Sequence, residues 1–239
     1  MIWLWRICFS LLWLLPGCCA VVKGTARLTD SRDPGVRRHK DFSGVVIWLE
    51  PDGHAPAFAA GSHRAWTMKQ KDKHFDPHVL AVPIGGAVDF PNLDPIFHNV
   101  FSNYSGQTFD LSLYKPHSSK RVVFTRAGIV RVFCNIHPTM SAIIAVLDTP
   151  WFAVSDISGV FEVKDVPAGR YTLHVFHERA TGETLDALVR SIIVERDAPL
   201  VLPAIVISET GYIPAPHRNK WDKDYPPQID DQPVYGPTQ

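Results

Sequence analysis

The chain is poor in sulfur and carries no excess of either charge. Its 239 residues include four cysteines and three methionines, and 24 Lys+Arg balance 24 Asp+Glu. That balance removes the electrostatic case for a nucleic-acid reader or for docking on an acidic membrane surface. Between residues 24 and 210 no long amphipathic helical period occurs, so a helical core is not expected. No apolar run reaches the length of a membrane span: Ile7 to Val22 is broken by Pro16 and Gly17 and falls short of roughly 20 residues. What is present is 46% hydrophobic, 11% aromatic and 20% charged residues. This composition excludes disorder for most of the chain and supplies one large core or two small ones.

Three of the cysteines, Cys8, Cys18 and Cys19, fall in the first twenty residues. There, Arg6 precedes an apolar stretch from Ile7 to Leu15, then the helix breakers Pro16 and Gly17, then Cys18-Cys19-Ala20. The pattern predicts a signal peptide over residues 1–20, cleaved after Ala20, and export to an oxidising compartment, taken as the periplasm. Two alternatives stay open: an uncleaved anchor, and a lipid-modified Cys18, since Leu-Leu-Pro-Gly-Cys is close to a lipoprotein box. With cleavage the mature protein has no transmembrane span and one cysteine, Cys134. An exported protein with a single thiol either buries it as a small apolar residue or uses it.

The body reads as all-β, with short runs of Val, Ile, Phe and Tyr between Gly, Pro, Asp and Asn. Strands are expected at Gly24–Leu28, Gly44–Leu49, Val79–Pro83, Ala87–Phe90, Asn99–Phe101, Phe109–Leu113, Lys120–Phe124, Gly128–Phe133 and Ala142–Leu147. A second series runs Phe152–Val154, Val160–Val163, Arg170–Phe176 and Val189–Val194. In that series Asp156 and Gly159 suit a hairpin turn, Phe161 and Val163 alternate inward, Pro167 and Gly169 turn again, and Tyr171, Leu173 and Val175 alternate once more. This stretch resembles the prealbumin-like β-sandwich module that serves as the regulatory domain of carboxypeptidases. The module's opening strands match Gly24–Leu28 and Gly44–Pro51. The expected organisation is therefore one sandwich built from residues 21–60 and 150–210 and interrupted by a second domain, 61–149; two consecutive domains joined near Pro150 are the simpler alternative. Residues 211–239 are a Pro-rich tail expected to lie as an extended arm on the surface.

The chemistry concentrates in Phe133-Cys134-Asn135-Ile136-His137-Pro138-Thr139-Met140, which sets a thiolate, an imidazole and a thioether on one loop between two expected strands. A second imidazole, His98, stands upstream in Asp94-Pro-Ile-Phe97-His98-Asn99. Two imidazoles, a thiolate and a weak axial thioether form the trigonal set that holds copper for electron transfer. Soft sulfur favours Cu(I) and imidazole serves both oxidation states, so an intermediate geometry keeps reorganisation small. Zinc would need a better fourth donor than Met140. A cysteine-nucleophile hydrolase would need Cys and His facing each other from separate elements, with an oxyanion hole.

From Trp66 to Leu147 the sequence resembles the cupredoxins, the type 1 blue copper proteins, with the short ligand loop of amicyanin. The resemblance also takes in Phe75-Asp-Pro77, Gly85, Val88-Asp-Phe90-Pro-Asn92 and His98-Asn99. It implies a Greek-key β-sandwich, one type 1 copper ion on His98, Cys134, His137 and Met140, and Asn99 tying the two ligand loops together. It further implies no catalysed reaction and an electron path through an exposed edge of His137, within an apolar patch of Ile136, Pro138 and Pro95. The partners would be a redox donor and a redox acceptor. The alternative is a copper-binding or copper-delivery module, against which the scarcity of methionine counts. His63, His74, His78 and His117 are weighed as a second metal site and read as solvated or locally bonded; Trp66 is read as core or as a neighbour of the site.

Overall fold

A computed structural model describes residues 19–53, 65–103, 106–196, 198–214 and 216–226. These are almost wholly β. Strand β1 (Cys19–Thr29) leads to the short helix α1 (Pro34–His39) and to β2 (Val46–Pro51). Then come β3 (Trp66–Thr67), β4 (Lys69–Lys71), β5 (His74–Asp76), β6 (Val79–Pro83), β7 (Ala87–Pro91) and β8 (His98–Ser102). They are followed by β9 (Phe109–Tyr114), β10 (Ser119–Val123), β11 (Gly128–Phe133) and β12 (Ser141–Leu147). The remainder holds β13 (Phe152–Val154), β14 (Val160–Pro167), β15 (Gly169–Phe176), α2 (Gly182–Asp186), β16 (Arg190–Val194), β17 (Leu200–Val201) and β18 (Ile205–Ser208). Among the described residues no helix is long and apolar enough to cross a membrane.

The strands make four stacked layers. β1 pairs with β14, β17 and β18, and this sheet faces the sheet β13-β2-β15-β16. Between them lies a core that includes Val22, Ala26, Ile47, Leu49, Phe161, Val163, Tyr171, Leu173 and Ile207. The sheet β6-β12-β11-β8-β9 faces β10-β7-β3, around a second core that includes Val88, Phe90, Phe124, Val130, Val132, Ile144, Cys134 and Met140.

Two strands explain how the sandwiches join. Successive side chains of a strand point to opposite faces. Ile47 and Leu49 of β2 enter the first core, while Val46 and Trp48 enter a third apolar cluster. Likewise Ala142, Ile144 and Val146 of β12 face the second core, and Ile143, Ala145 and Leu147 face that third cluster. Both strands are covered on both sides, which is why they read as unbroken apolar runs rather than as alternating ones.

Several expectations shift. Asp156 and Gly159 do make a turn, Gly159 N–H donating to Asp156 C=O at 2.8 Å. It is not a hairpin, because β13 pairs with β2 and β14 with β1, in opposite sheets. Phe161 and Leu173 thereby reach one core from its two sides. A side chain at Gly159, with φ of +81°, would meet the Ala26 carbonyl oxygen at 2.1 Å, so the turn needs glycine. β1 begins at Cys19, and Ala20, expected in the leader, pairs with Val166. The helices were not anticipated because each is too short to show a period; α1 is set by Asp33, whose carboxylate accepts from Gly35 and Val36 N–H, and by Pro34. The expected signal residues 1–18, with Cys18, and His63 lie outside the described residues.

Candidate metal centre

At one end of the second core lies a cluster of buried polar side chains, Asp94, His98, Asn99 and His137. β8 is buried along its whole length and starts with His98, while β11 ends at Phe133 and delivers Cys134. The loop from Cys134 to Met140 closes on itself: Cys134 N–H donates to Met140 C=O at 3.1 Å, and Met140 N–H to His137 C=O at 3.0 Å. These two bonds fold His137 back over Cys134.

The result is convergence. One ligand atom each from His98, Cys134 and His137 falls within 4.8 Å of the others. Cys134 Sγ lies 3.8 Å from His98 Nδ1 and 3.7 Å from His137 Nδ1. A metal at roughly 2.3 Å from sulfur and roughly 2.0 Å from nitrogen, subtending about 120°, would separate such donors by about 3.8 Å. Each of the two sulfur–nitrogen separations therefore suits a pair of donors on one ion. Met140 is fully buried in the same apolar cluster as Cys134.

Burial sets the protonation of these groups. It pushes the Cys134 thiol pKa up, an effect opposed by hydrogen bonds from the backbone N–H groups of Asn99, Ile136 and His137 to the sulfur. It lowers His137 to about 4, with His98 nearby adding to the effect. His98 is lowered too, burial outweighing its carboxylate partner. Both imidazoles are thus held neutral, the form that ligates metal.

Asp94 completes His98 and was not singled out as a site residue. His98 Nε2–H donates to Asp94 Oδ2 at 2.7 Å, both side chains being buried. This fixes the tautomer and leaves the Nδ1 lone pair facing Cys134. Burial works against the Asp94 charge, but the N–H groups of Lys73 and Asp72, with His98, outweigh it and hold its pKa low. The signal was in the sequence, a carboxylate four residues before the histidine.

Asn99 does more through its backbone than its side chain. Its N–H donates to the Cys134 sulfur, whereas its Nδ2 donates to Asp110 Oδ1 at 2.7 Å. The anticipated exposed edge of His137 is narrow: the residue is 6% exposed. Ile136 and Pro138 beside it are half-buried and Pro95 is exposed, and Leu93 and Phe97 add exposed apolar surface. His74 and His78 are bonded locally and are not part of this centre. His74 Nδ1 lies 2.7 Å from Asp72 C=O, and His78 bridges Ser141 C=O and Glu178. Trp66 packs against the second core.

No family model matches the chain. A 60-residue stretch, 25% of the chain, is 42% identical to the methylamine utilization protein MauL of Methylorubrum extorquens and spans 53% of that protein, about half its length. Among solved structures the chain is similar to a purple cupredoxin from Nitrosopumilus maritimus, at 20% identity over 34% of this chain and 98% of that one, with a TM-score of 0.32. A reduced single-site variant of amicyanin aligns at 22% identity over 42% of this chain and 97% of its own, with a TM-score of 0.33. A copper-containing nitrite reductase from Thermus scotoductus aligns at 21% identity over 52% of this chain and 28% of its own, with a TM-score of 0.35. The functional reading therefore rests on the site itself.

Proposed function

We propose that this chain is an exported, periplasmic type 1 copper protein that carries single electrons between a redox donor and a redox acceptor. The observation that carries the reading is that the buried Cys134 Sγ lies 3.8 Å from His98 Nδ1 and 3.7 Å from His137 Nδ1, beside an apolar core. His98, Cys134 and His137 would hold one copper ion, with Met140 as the weak axial donor. Copper bound there supplies a one-electron couple. The chain's own groups do the rest: Asp94 orients His98, backbone N–H groups stabilise the thiolate, and the core excludes water. With every donor supplied by protein, no position is left for a substrate, and no catalysed reaction is proposed. A copper-delivery role would need ligands that a partner can reach, and the burial of Cys134, His98 and His137 counts against it.

On the same reading, residues 61–149 form a cupredoxin domain inserted into a prealbumin-like sandwich of 21–60 and 150–210, a division supported by the pairing of β1 with β14 and of β2 with β13 and β15. The likeness to a methylamine utilization protein supports seeking the donor and acceptor in that metabolism.

The test is to add Cu(II) to the protein and record its visible spectrum beside that of Cys134→Ser. An intense thiolate-to-copper band that the variant lacks is expected. Protein that stays colourless and takes up no stoichiometric copper sinks the reading.

A further inference from the structure

The Pro-rich tail does not lie idle on the surface. Residues 216–226 run across the loop from Cys134 to Met140 and bond to it at three points. His217 Nε2–H donates to Pro138 C=O at 2.7 Å. Lys220 N–H donates to Asn135 Oδ1 at 2.9 Å. Tyr225 Oη–H donates to Cys134 C=O at 2.8 Å. The His217 ring also stacks on Phe133, centroids 4.1 Å apart at 28°, and Tyr225 meets that ring edge-on at 5.2 Å.

The segment is ordered from within. Asn219, 7% exposed, accepts from Trp221 and Lys223 N–H through its side-chain oxygen, at 3.0 and 3.1 Å. A second route reaches the sulfur from the side. Lys220 Nζ pairs with Asp110 at 2.8 Å, Asp110 accepts from Asn99 Nδ2 at 2.7 Å, and Asn99 N–H donates to Cys134 Sγ. The bonds within the loop converge on Cys134 and His137, whereas the clamp ties Asn135 and Pro138 to a separate chain segment and so lowers the ordering cost that ligand binding would otherwise carry.

We infer that residues 216–226 are a strap that holds the 134–140 loop in its ligating shape before metal arrives and restrains it when copper changes oxidation state. His217, Lys220 and Tyr225 are its positioning residues. The inference rests on the copper reading for its consequence, but its structural half is testable without metal.

The experiment compares the full chain with His217→Ala/Tyr225→Phe and with His217→Gln, which keeps a side-chain N–H donor. Amide hydrogen exchange is measured on metal-free protein and the visible spectrum after Cu(II) addition. In the double variant, amides of 134–140 should exchange about tenfold faster or more, while those of β11 and β12 stay unchanged and certify the fold. The copper band should shift, Cu(II) affinity should fall about tenfold, at the lower end of what a lost ligand-orienting contact costs, and His217→Gln should recover part of both. Unchanged exchange in the loop, or faster exchange with an unaltered band and affinity, overturns the strap. If the unaltered chain takes up no copper, the copper reading falls and the exchange data alone decide the strap.

Discussion

The two sandwiches bury polar groups in different ways. In the sandwich of β1 and β2, the buried hydroxyls close backbone. Thr149 donates to Leu49 C=O at 2.8 Å, and Ser155 donates to Phe42 C=O while accepting from Val45 N–H. The other sandwich instead gathers Asp94, His98, Asn99 and His137 around a thiol, and among the described residues it holds three buried side-chain oxygens without a hydrogen-bond partner, on Gln70, Asn99 and Ser102, against Arg190 Nη2 in the first sandwich. Unmet polar groups cost stability, so their accumulation in one sandwich marks where the fold serves something other than its own cohesion. The proposed site falls in the sandwich that collects most of them.

That contrast is broken most forcefully from the side of the first sandwich. Leu173→Ala empties a fully buried position of the first core and should cost about 2–5 kcal/mol, read as a lowered melting midpoint. The copper band of the folded variant should not move. If it does, strain crosses the shared cluster that holds Val46 and Ile143, and the sandwiches are not separate in function.

Asp94→Asn attacks the site and should spare the fold. The carboxylate accepts from His98 at 2.7 Å and from Asp72 and Lys73 N–H at 2.6 and 3.0 Å. An amide cannot accept from all three, so His98 loses its fixed tautomer. Cu(II) affinity should drop about 10- to 100-fold, measured by competition with a chelator while the first sandwich keeps its exchange protection. Unchanged affinity would reduce Asp94 to a loop anchor.

How much of this was legible in the sequence follows from how local each feature is. The longer strands were, because alternation and turn residues are local signals, whereas the short β3, β4, β5, β17 and β18, of two to four residues each, were not expected. So was the grouping of Cys134, His137 and Met140, which one loop carries in order, and His98 came with it through the metal chemistry of the set. The sheet partners of β13 and β14 were not, since a tight turn says nothing about whether the strands it joins share a sheet. Asp94 was readable from its spacing to His98. Asp110, His217 and Tyr225 were not, because their roles depend on chain segments far apart in sequence meeting at Cys134 and Asn99. Aromatic residues scattered through a Pro-rich tail carry no period to reveal that.

The smallest expected effect lies where the two sandwiches touch. His78, just before β6, pairs at 2.7 Å with Glu178, just after β15, with side-chain exposures of 45% and 19%. Glu178, joined by the Ser141 carbonyl and opposed by burial and by Arg179, raises the His78 pKa above its ordinary 6.5. Burial works against the Glu178 charge, but His78 and Arg179 hold its pKa below the ordinary 4.5. A raised histidine adds stability that is complete below about 6.5 and is lost as pH rises through its folded value; a lowered carboxylate adds stability present above about 4.5 and lost as pH falls through its own. The pair therefore contributes most between those values. Half-exposed, it is worth about 0.2–1 kcal/mol after screening by solvent. Glu178→Gln should lower stability by that amount at pH 5.5 and by little at pH 9, measured by urea unfolding at both, and should leave the copper band in place. An equal loss at both pH values would mean that Glu178 acts by packing or through Arg179, and that the junction between the two sandwiches carries no charge dependence of its own.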